Sequence, residues 1–255
     1  MAKVYSIAIY KGGTSKTTTA AALIAGLTKR GKKVLGIDLD PQCNLTHYYN
    51  ITPQKSTSDV YLGKGKIVDY ILRTENGYIL PSDPMLYAYG IKDLKLDAIR
   101  TAIKPVKDFF DYIIIDTPPN QGVLTNNAII AADEVIIATP VGDFCQDAII
   151  NLCESIFTIK EMVKIDVDIA GILVTRKKSR ATLSQIMIDQ FKEIAAKYDT
   201  RVFDTHIRDC QAIQDAQAVK ENLFDYSPRS NGAKDYNALI DELISLEEAK
   251  SKAFK

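Results

Sequence analysis

An α/β fold with a mostly parallel central sheet, covered by helices on both faces, is the architecture the sequence predicts. Three observations lead there. Short apolar runs of β type alternate with helical stretches along the whole chain. The inner run over 112–115 (YIII) is continuously apolar, as a strand buried on both faces must be. A glycine pair, Gly12-Gly13, stands between the first apolar run and an Ala- and Leu-rich stretch of helical character. The 255 residues are 46% hydrophobic and 25% charged, enough for a substantial core. No internal repeat or linker interrupts them, so one domain over 1–255 is expected.

The elements follow in order. Residues 4–9 form the first strand, and a helix over 17–29 ends before Gly31. Residues 33–39 (KVLGIDL) form a buried strand that Asp40-Pro41-Gln42 breaks. Residues 52–66 are polar and turn-rich, an irregular surface connection. A short helix over 66–72 and a short strand over 78–81 come next. The spacing of Leu94, Ile99, Ile103, Val106 and Phe110 predicts a helix over 93–110, ended or kinked at Pro105. The strand over 112–115 stops at Asp116-Thr117-Pro118-Pro119. The rest reads as helix 124–132, strand 134–139, helix 147–163, strand 169–175, helix 181–197, a short strand near Val202, and a last helix over 231–247.

Formal net charge is zero, so any contact with nucleic acid must come from a local patch. The four cysteines are widely spaced without a CxxC pair, which predicts reduced thiols and neither a disulfide nor a zinc site. His47 and His206 lack ligand spacing. The Tyr48-Tyr49 and Tyr87-Ala88-Tyr89 clusters read as packing or a partner surface. The chain shows no signal-peptide pattern, no apolar run long enough to span a bilayer and no basic amphipathic terminal helix. A cytoplasmic protein with no membrane contact is expected.

Four constellations carry chemistry. The first is Lys11-Gly12-Gly13-Thr14-Ser15-Lys16-Thr17-Thr18, between the first strand and its helix. The usual phosphate-loop pattern, G-x-x-x-x-G-K-[ST], is not met, because Tyr10 and Ser15 occupy its glycine positions. The chemistry is retained. Gly12 and Gly13 let backbone N–H groups turn inward, Lys16 reaches β- and γ-phosphates, and the Thr17 hydroxyl suits Mg2+. The following helix points its positive end at the same place. This makes the predicted fold one of the P-loop NTPase type. Lys11 is a surplus cation that a single such loop does not need.

The second is Asp38-Leu39-Asp40-Pro41-Gln42, at the strand end where open α/β sheets hold ligands. Asp40 suits a water attacking the γ-phosphate, and Asp38 suits Mg2+ or its waters. The third is Asp116 after three isoleucines, a Walker B pattern whose carboxylate serves the metal. The rigid turn over 117–120 follows it. The fourth is Arg176-Lys177-Lys178-Ser179-Arg180, the densest cationic run, which reads as a solvated loop or a DNA contact. Arg229, in a loop before the last helix, has the same two readings.

In this order and spacing, the motifs at 11–18, 38–42 and 116–119 resemble the ParA/Soj family of DNA-partition ATPases, deviant Walker A proteins related to MinD. The resemblance extends through Leu124-Thr125-Asn126-Asn127-Ala128, the strand over 171–175 and the segment 225–233 with Tyr236. It implies ATP/ADP and Mg2+ as cofactors, and a homodimer that sandwiches ATP. Lys11 would reach the partner subunit's phosphates. Lys16 would bind phosphates, Thr17 the metal, Thr18 the α-phosphate, Asp40 the attacking water and Asp116 the metal shell. Thr175 and Arg208 would lie near adenine. The ATP dimer would bind DNA non-specifically on the nucleoid and answer to a ParB-like centromere-binding protein that stimulates slow hydrolysis. The chain resembles the short form, without a DNA-binding extension for operator repression. Two other readings are weighed: a MinD-like membrane-associated positioning ATPase, and a nucleotide switch with little hydrolysis because of Ser15, where most relatives have glycine.

Overall fold

The computed structural model describes residues 1–52, 58–86, 95–142, 144–178 and 182–253. Seven strands form one sheet in the order β3-β4-β2-β5-β1-β6-β7. They are β1 (Lys3–Ala8), β2 (Val34–Asp38), β3 (Leu72–Thr74), β4 (Gly77–Leu80), β5 (Tyr112–Asp116), β6 (Glu134–Pro140) and β7 (Asp168–Thr175). All neighbours run parallel except the β3–β4 hairpin.

The pleat sorts the core into two layers. In β5, Ile113 and Ile115 face one layer with Ile129, Ile149 and Leu152. Ile114 faces the other, with Leu23, Ile24, Tyr236 and Ile240. The first layer is covered by α4 (Ala98–Ile103), α5 (Val123–Ala131), α6 (Cys145–Val163) and α7 (Thr182–Lys197). The second is covered by α1 (Lys16–Lys29), α8 (Gln211–Ala218), α9 (Leu223–Tyr226) and α10 (Asn231–Ala253). Gly26 lets α1 approach α10 closely: a Cβ there would stand 2.3 Å from Ile240 Cδ1. Two short helices, α2 (Asn44–Tyr48) and α3 (Ser58–Tyr61), follow β2.

Several expectations change. The helix over 93–110 is confined, among the described residues, to Ala98–Ile103 and a 3-10 turn Lys104–Val106, because Pro105 has no N–H to continue the ladder. The helix over 66–72 is one 3-10 turn, Ile67–Asp69, and Leu72 already belongs to β3. The strand near Val202 is a single bridge to Ile172. The last helix continues to Ala253. The Tyr87-Ala88-Tyr89 cluster lies outside the described residues. Among those residues, no helix is long and apolar enough to cross a membrane.

Candidate functional site

Strands β1, β2, β5 and β6 run parallel, so the loops that follow them meet at one edge of the sheet. The loop after β1 turns through Gly13 (φ +69°) and Ser15 (φ 72°, ψ 23°), both left-handed, before α1 begins at Lys16. The Lys16 ammonium folds back and donates to Lys11 O at 2.9 Å and Ile9 O at 3.4 Å. Thr175 at the end of β7 donates its hydroxyl to Thr14 O at 3.1 Å. A Cβ on Gly12 would meet only Pro119 Cβ, at 4.0 Å, so the loop is open above its glycines.

Two clefts share this loop. One, of about 560 Å³, is lined by residues 12–18 with Asp40, Asn44, His47, Tyr48, Pro119 and Lys220 among others. The second, of about 280 Å³, runs from Gly13, Ser15 and Thr18 to Arg208, Gln214 and Tyr236. Gln217 lines both, and its Nε2 donates to Thr18 Oγ1 at 2.7 Å.

Asp38 and Asp116 are register partners on β2 and β5. Asp38 Oδ1 accepts from Asp40 N at 3.1 Å, and Oδ2 accepts from Thr46 N and Oγ1 at 2.8 and 2.7 Å. Burial still raises its pKa to about 6. Asp40 Oδ1 accepts from Gln42 N at 3.0 Å. Burial lifts the Asp40 pKa, and Lys16 opposes the rise. Asp116 is completely buried, and neither of its oxygens has a hydrogen-bond partner among the described residues. Burial first and the Asp38 charge second push its pKa well above the carboxylate range, with Thr17 and Lys16 opposing. Burial lowers the Lys16 pKa, and Asp116 and Asp40 oppose that shift.

An orphaned buried carboxylate requires a reason. A hard cation taking oxygen ligands supplies one, since its charge reverses the local penalty. Asp116 with the Thr17 hydroxyl nearby fits a magnesium ion, and the open glycine loop at a helix N-terminus fits phosphate. Asp38 accepts from protein donors at both oxygens and braces α2 against β2.

The other expected residues are distributed as follows. The Lys11 ammonium donates to Cys145 Sγ at 3.3 Å, at the N-terminus of α6. Arg208 lines the second cleft, but its guanidinium is forked onto Asp235, with Nη2–Oδ1 at 2.6 Å and Nε–Oδ2 at 2.9 Å. Arg176 is left-handed (φ 51°) and points toward Gly13 O at 3.5 Å. Lys177 Nζ lies 2.8 Å from His206 Nδ1, and Lys178 and Arg229 are exposed. Arg180 lies outside the described residues. Sequence reasoning missed Asn44, His47, Tyr48, Gln217 and Lys220 as cleft residues. Only Asn44 had a signal, its place directly behind the Asp40 turn.

Comparison with known proteins agrees with this geometry. Residues 2–169 match the AAA domain family. The chain is 30% identical to the sporulation initiation inhibitor protein Soj of Bacillus subtilis, covering 96% of this chain and 99% of that protein. It is 29% identical to the chromosome partitioning protein ParA of Myxococcus xanthus, covering 98% and 90%. Its fold superposes on the septum site-determining protein MinD of Pyrococcus horikoshii, solved with Mg-ADP. The TM-score is 0.80 at 25% identity, with 98% of this chain and 99% of that chain covered.

Proposed function

This chain belongs to the ParA/Soj family of P-loop ATPases, and from that premise we propose that it is a Mg2+-dependent ATPase that dimerises on ATP. In this reading it binds DNA non-specifically and works with a ParB-like centromere-binding protein. The coarser function, a partition or positioning ATPase, is supported by the names of its relatives Soj, ParA and MinD.

One observation supports the dimer: the loop carries a second lysine besides Lys16. Lys16 is held inside the loop, whereas Lys11 donates to Cys145 Sγ, a buried thiol of its own chain, and would exchange that contact for a second subunit's phosphates. The remaining roles are those the residue chemistry and the family resemblance imply. Lys16 and the backbone N–H groups of residues 12–16 hold the β- and γ-phosphates. Thr17 and Asp116 would hold Mg2+, which would supply charge neutralisation for the phosphates. Thr18 meets the α-phosphate, and Asp40 orients the attacking water. Asp38 braces the Asp40 arm through Asp40 N and Thr46, and the lone pair left on its Oδ1 would serve Mg2+ or its waters. Thr175 braces the loop through Thr14, and Arg208 shapes the base-side wall. Arg176, Lys177, Lys178 and Arg229 are the candidate DNA contacts.

Sedimentation with ATP, ADP and no nucleotide tests the scheme. A dimer with ATP alone is expected, and a monomer in all three states overturns it. For DNA, alanine at 176, 177 and 178 is expected to lower affinity and flatten its salt dependence by roughly 0.9 per lost phosphate contact. A second reading, a switch with little hydrolysis, is favoured by one observation: the left-handed backbone of Ser15.

A further inference from the structure

Helices α2 and α8 end in the same way. In each, the residue after the C-cap is left-handed without being glycine: Asn50 at φ 53° and Lys220 at φ 58°. Each end is closed by the paired backbone bonds of a Schellman motif. Ile51 N donates to Thr46 O and Asn50 N to His47 O; Glu221 N donates to Ala216 O and Lys220 N to Gln217 O. These two ends face one another at the larger cleft. Lys220 Nζ donates to Asn50 Oδ1 at 3.1 Å, and the Tyr48 hydroxyl donates to Glu221 O at 2.7 Å. The lysine charge also suits the negative end of α2.

Each helix has a second attachment to the cleft. Asp38 holds α2 through Thr46, directly after the turn that carries Asp40. Gln217 holds α8 to Thr18 on α1. The Asp40 arm and the loop helix α1 are thus joined across the cleft by side chains that neither motif contains. Asparagine takes the left-handed C′ position readily, so the backbone cost falls on Lys220, whose conformation persists because its surroundings enforce it.

We infer that Tyr48 and Lys220 form a clasp across the cleft that positions the Asp40 arm over the phosphates. They are positioning residues for hydrolysis. The inference rests on the ATPase reading above. It assigns Tyr48 more than the packing role suggested by its place in a tyrosine pair.

The test uses the full chain with Tyr48→Phe, which removes one hydroxyl, and Lys220→Met, which removes the ammonium but keeps the stem. Three quantities are measured: single-turnover ATP hydrolysis, ATP affinity, and amide exchange of residues 42–51 with Mg-ADP bound. Each variant should slow hydrolysis at least fivefold, leave Kd within twofold, and speed exchange over 42–51. The double variant should be no slower than the worse single, because both close one clasp. Unchanged hydrolysis in the variants overturns the clasp, whatever the exchange shows. So does a Kd that weakens in step with the rate, which would make these residues a wall of the binding site. A wild-type chain that binds ATP without hydrolysing it overturns the parent reading as well, so the two failures are told apart.

Discussion

The two edges of the sheet handle charge in opposite ways. At the edge where the strands begin, buried Glu134 and half-buried Glu247 both have partners. Glu247 accepts the hydroxyls of Tyr5 and Tyr112 at 2.6 and 2.8 Å. Glu134 pairs with Lys3 and Lys250. At the edge where the strands end, Asp116 is buried with both oxygens unpartnered. Left-handed non-glycine residues follow there too: Ser15 after β1, Cys43 after β2, Phe144 after β6 and Arg176 after β7. One edge is chemically complete within the chain. The other holds unmet charge that a divalent cation would relieve, and this, more than backbone strain, marks it as the working edge, since left-handed residues also stand at the first edge, at Lys164 and Asp199.

The largest expected effect comes from neutralising that unmet charge. Asp116→Asn keeps the volume and removes the buried charge. Mg2+-dependent hydrolysis should fall at least a hundredfold, while calorimetry on the nucleotide-free protein should show a higher Tm. For a chain of this size each kcal/mol recovered is worth about 2–4 °C. A lower Tm would mean that Asp116 has a partner the geometry does not reveal, and the contrast between edges would break.

Glu247→Ala is the mirror experiment. It strands the hydroxyl of Tyr5, which is only 2% exposed. The cost is roughly 1–3 kcal/mol, a fall of several degrees in Tm. Hydrolysis measured well below the transition should be unchanged. Loss of turnover without loss of stability would show that the first edge also takes part in function.

The smallest effect concerns Ser15. Replacing it by glycine removes a left-handed penalty of about 1–2 kcal/mol, offset in part by the added freedom of the unfolded chain. A Tm rise of about 2 °C is expected. Single-turnover hydrolysis then decides between an active ATPase and a restrained switch. A rate unchanged by Ser15→Gly excludes Ser15 as the restraint.

The sequence was most informative where chemistry is local. The loop over 11–18, the Asp40 turn and Asp116 are contiguous motifs at strand ends, and the fold brings them to one edge as expected. Ser15 was identifiable as a departure, and its backbone angle now explains why glycine would suit that place. What escaped depends on tertiary contact. β3 has mostly exposed residues, so neither burial nor alternation announces it. α8 buries only Ala216, and α2 is five residues long, too short for a helical period to register. Gln217 and Lys220 reach the cleft only because α8 packs beside α1. Phe110 matched the helical spacing that began at Leu94, yet its burial belongs to the approach to β5, beyond the stop at Pro105.

The close contact at Gly26 has a mechanical consequence. With no side chain between them, α1 and α10 interlock at Ile240 and cannot slide past one another freely. α10 spans 23 residues, about 35 Å. Near its start the Tyr236 hydroxyl lies 3.2 Å from Thr19 Oγ1 on the loop helix, and near its end Glu247 grips Tyr5 and Tyr112. Held at Thr19, at Ile240 and again at Glu247 and Lys250, α10 is a tie rod that fixes the loop helix to the opposite edge of the sheet.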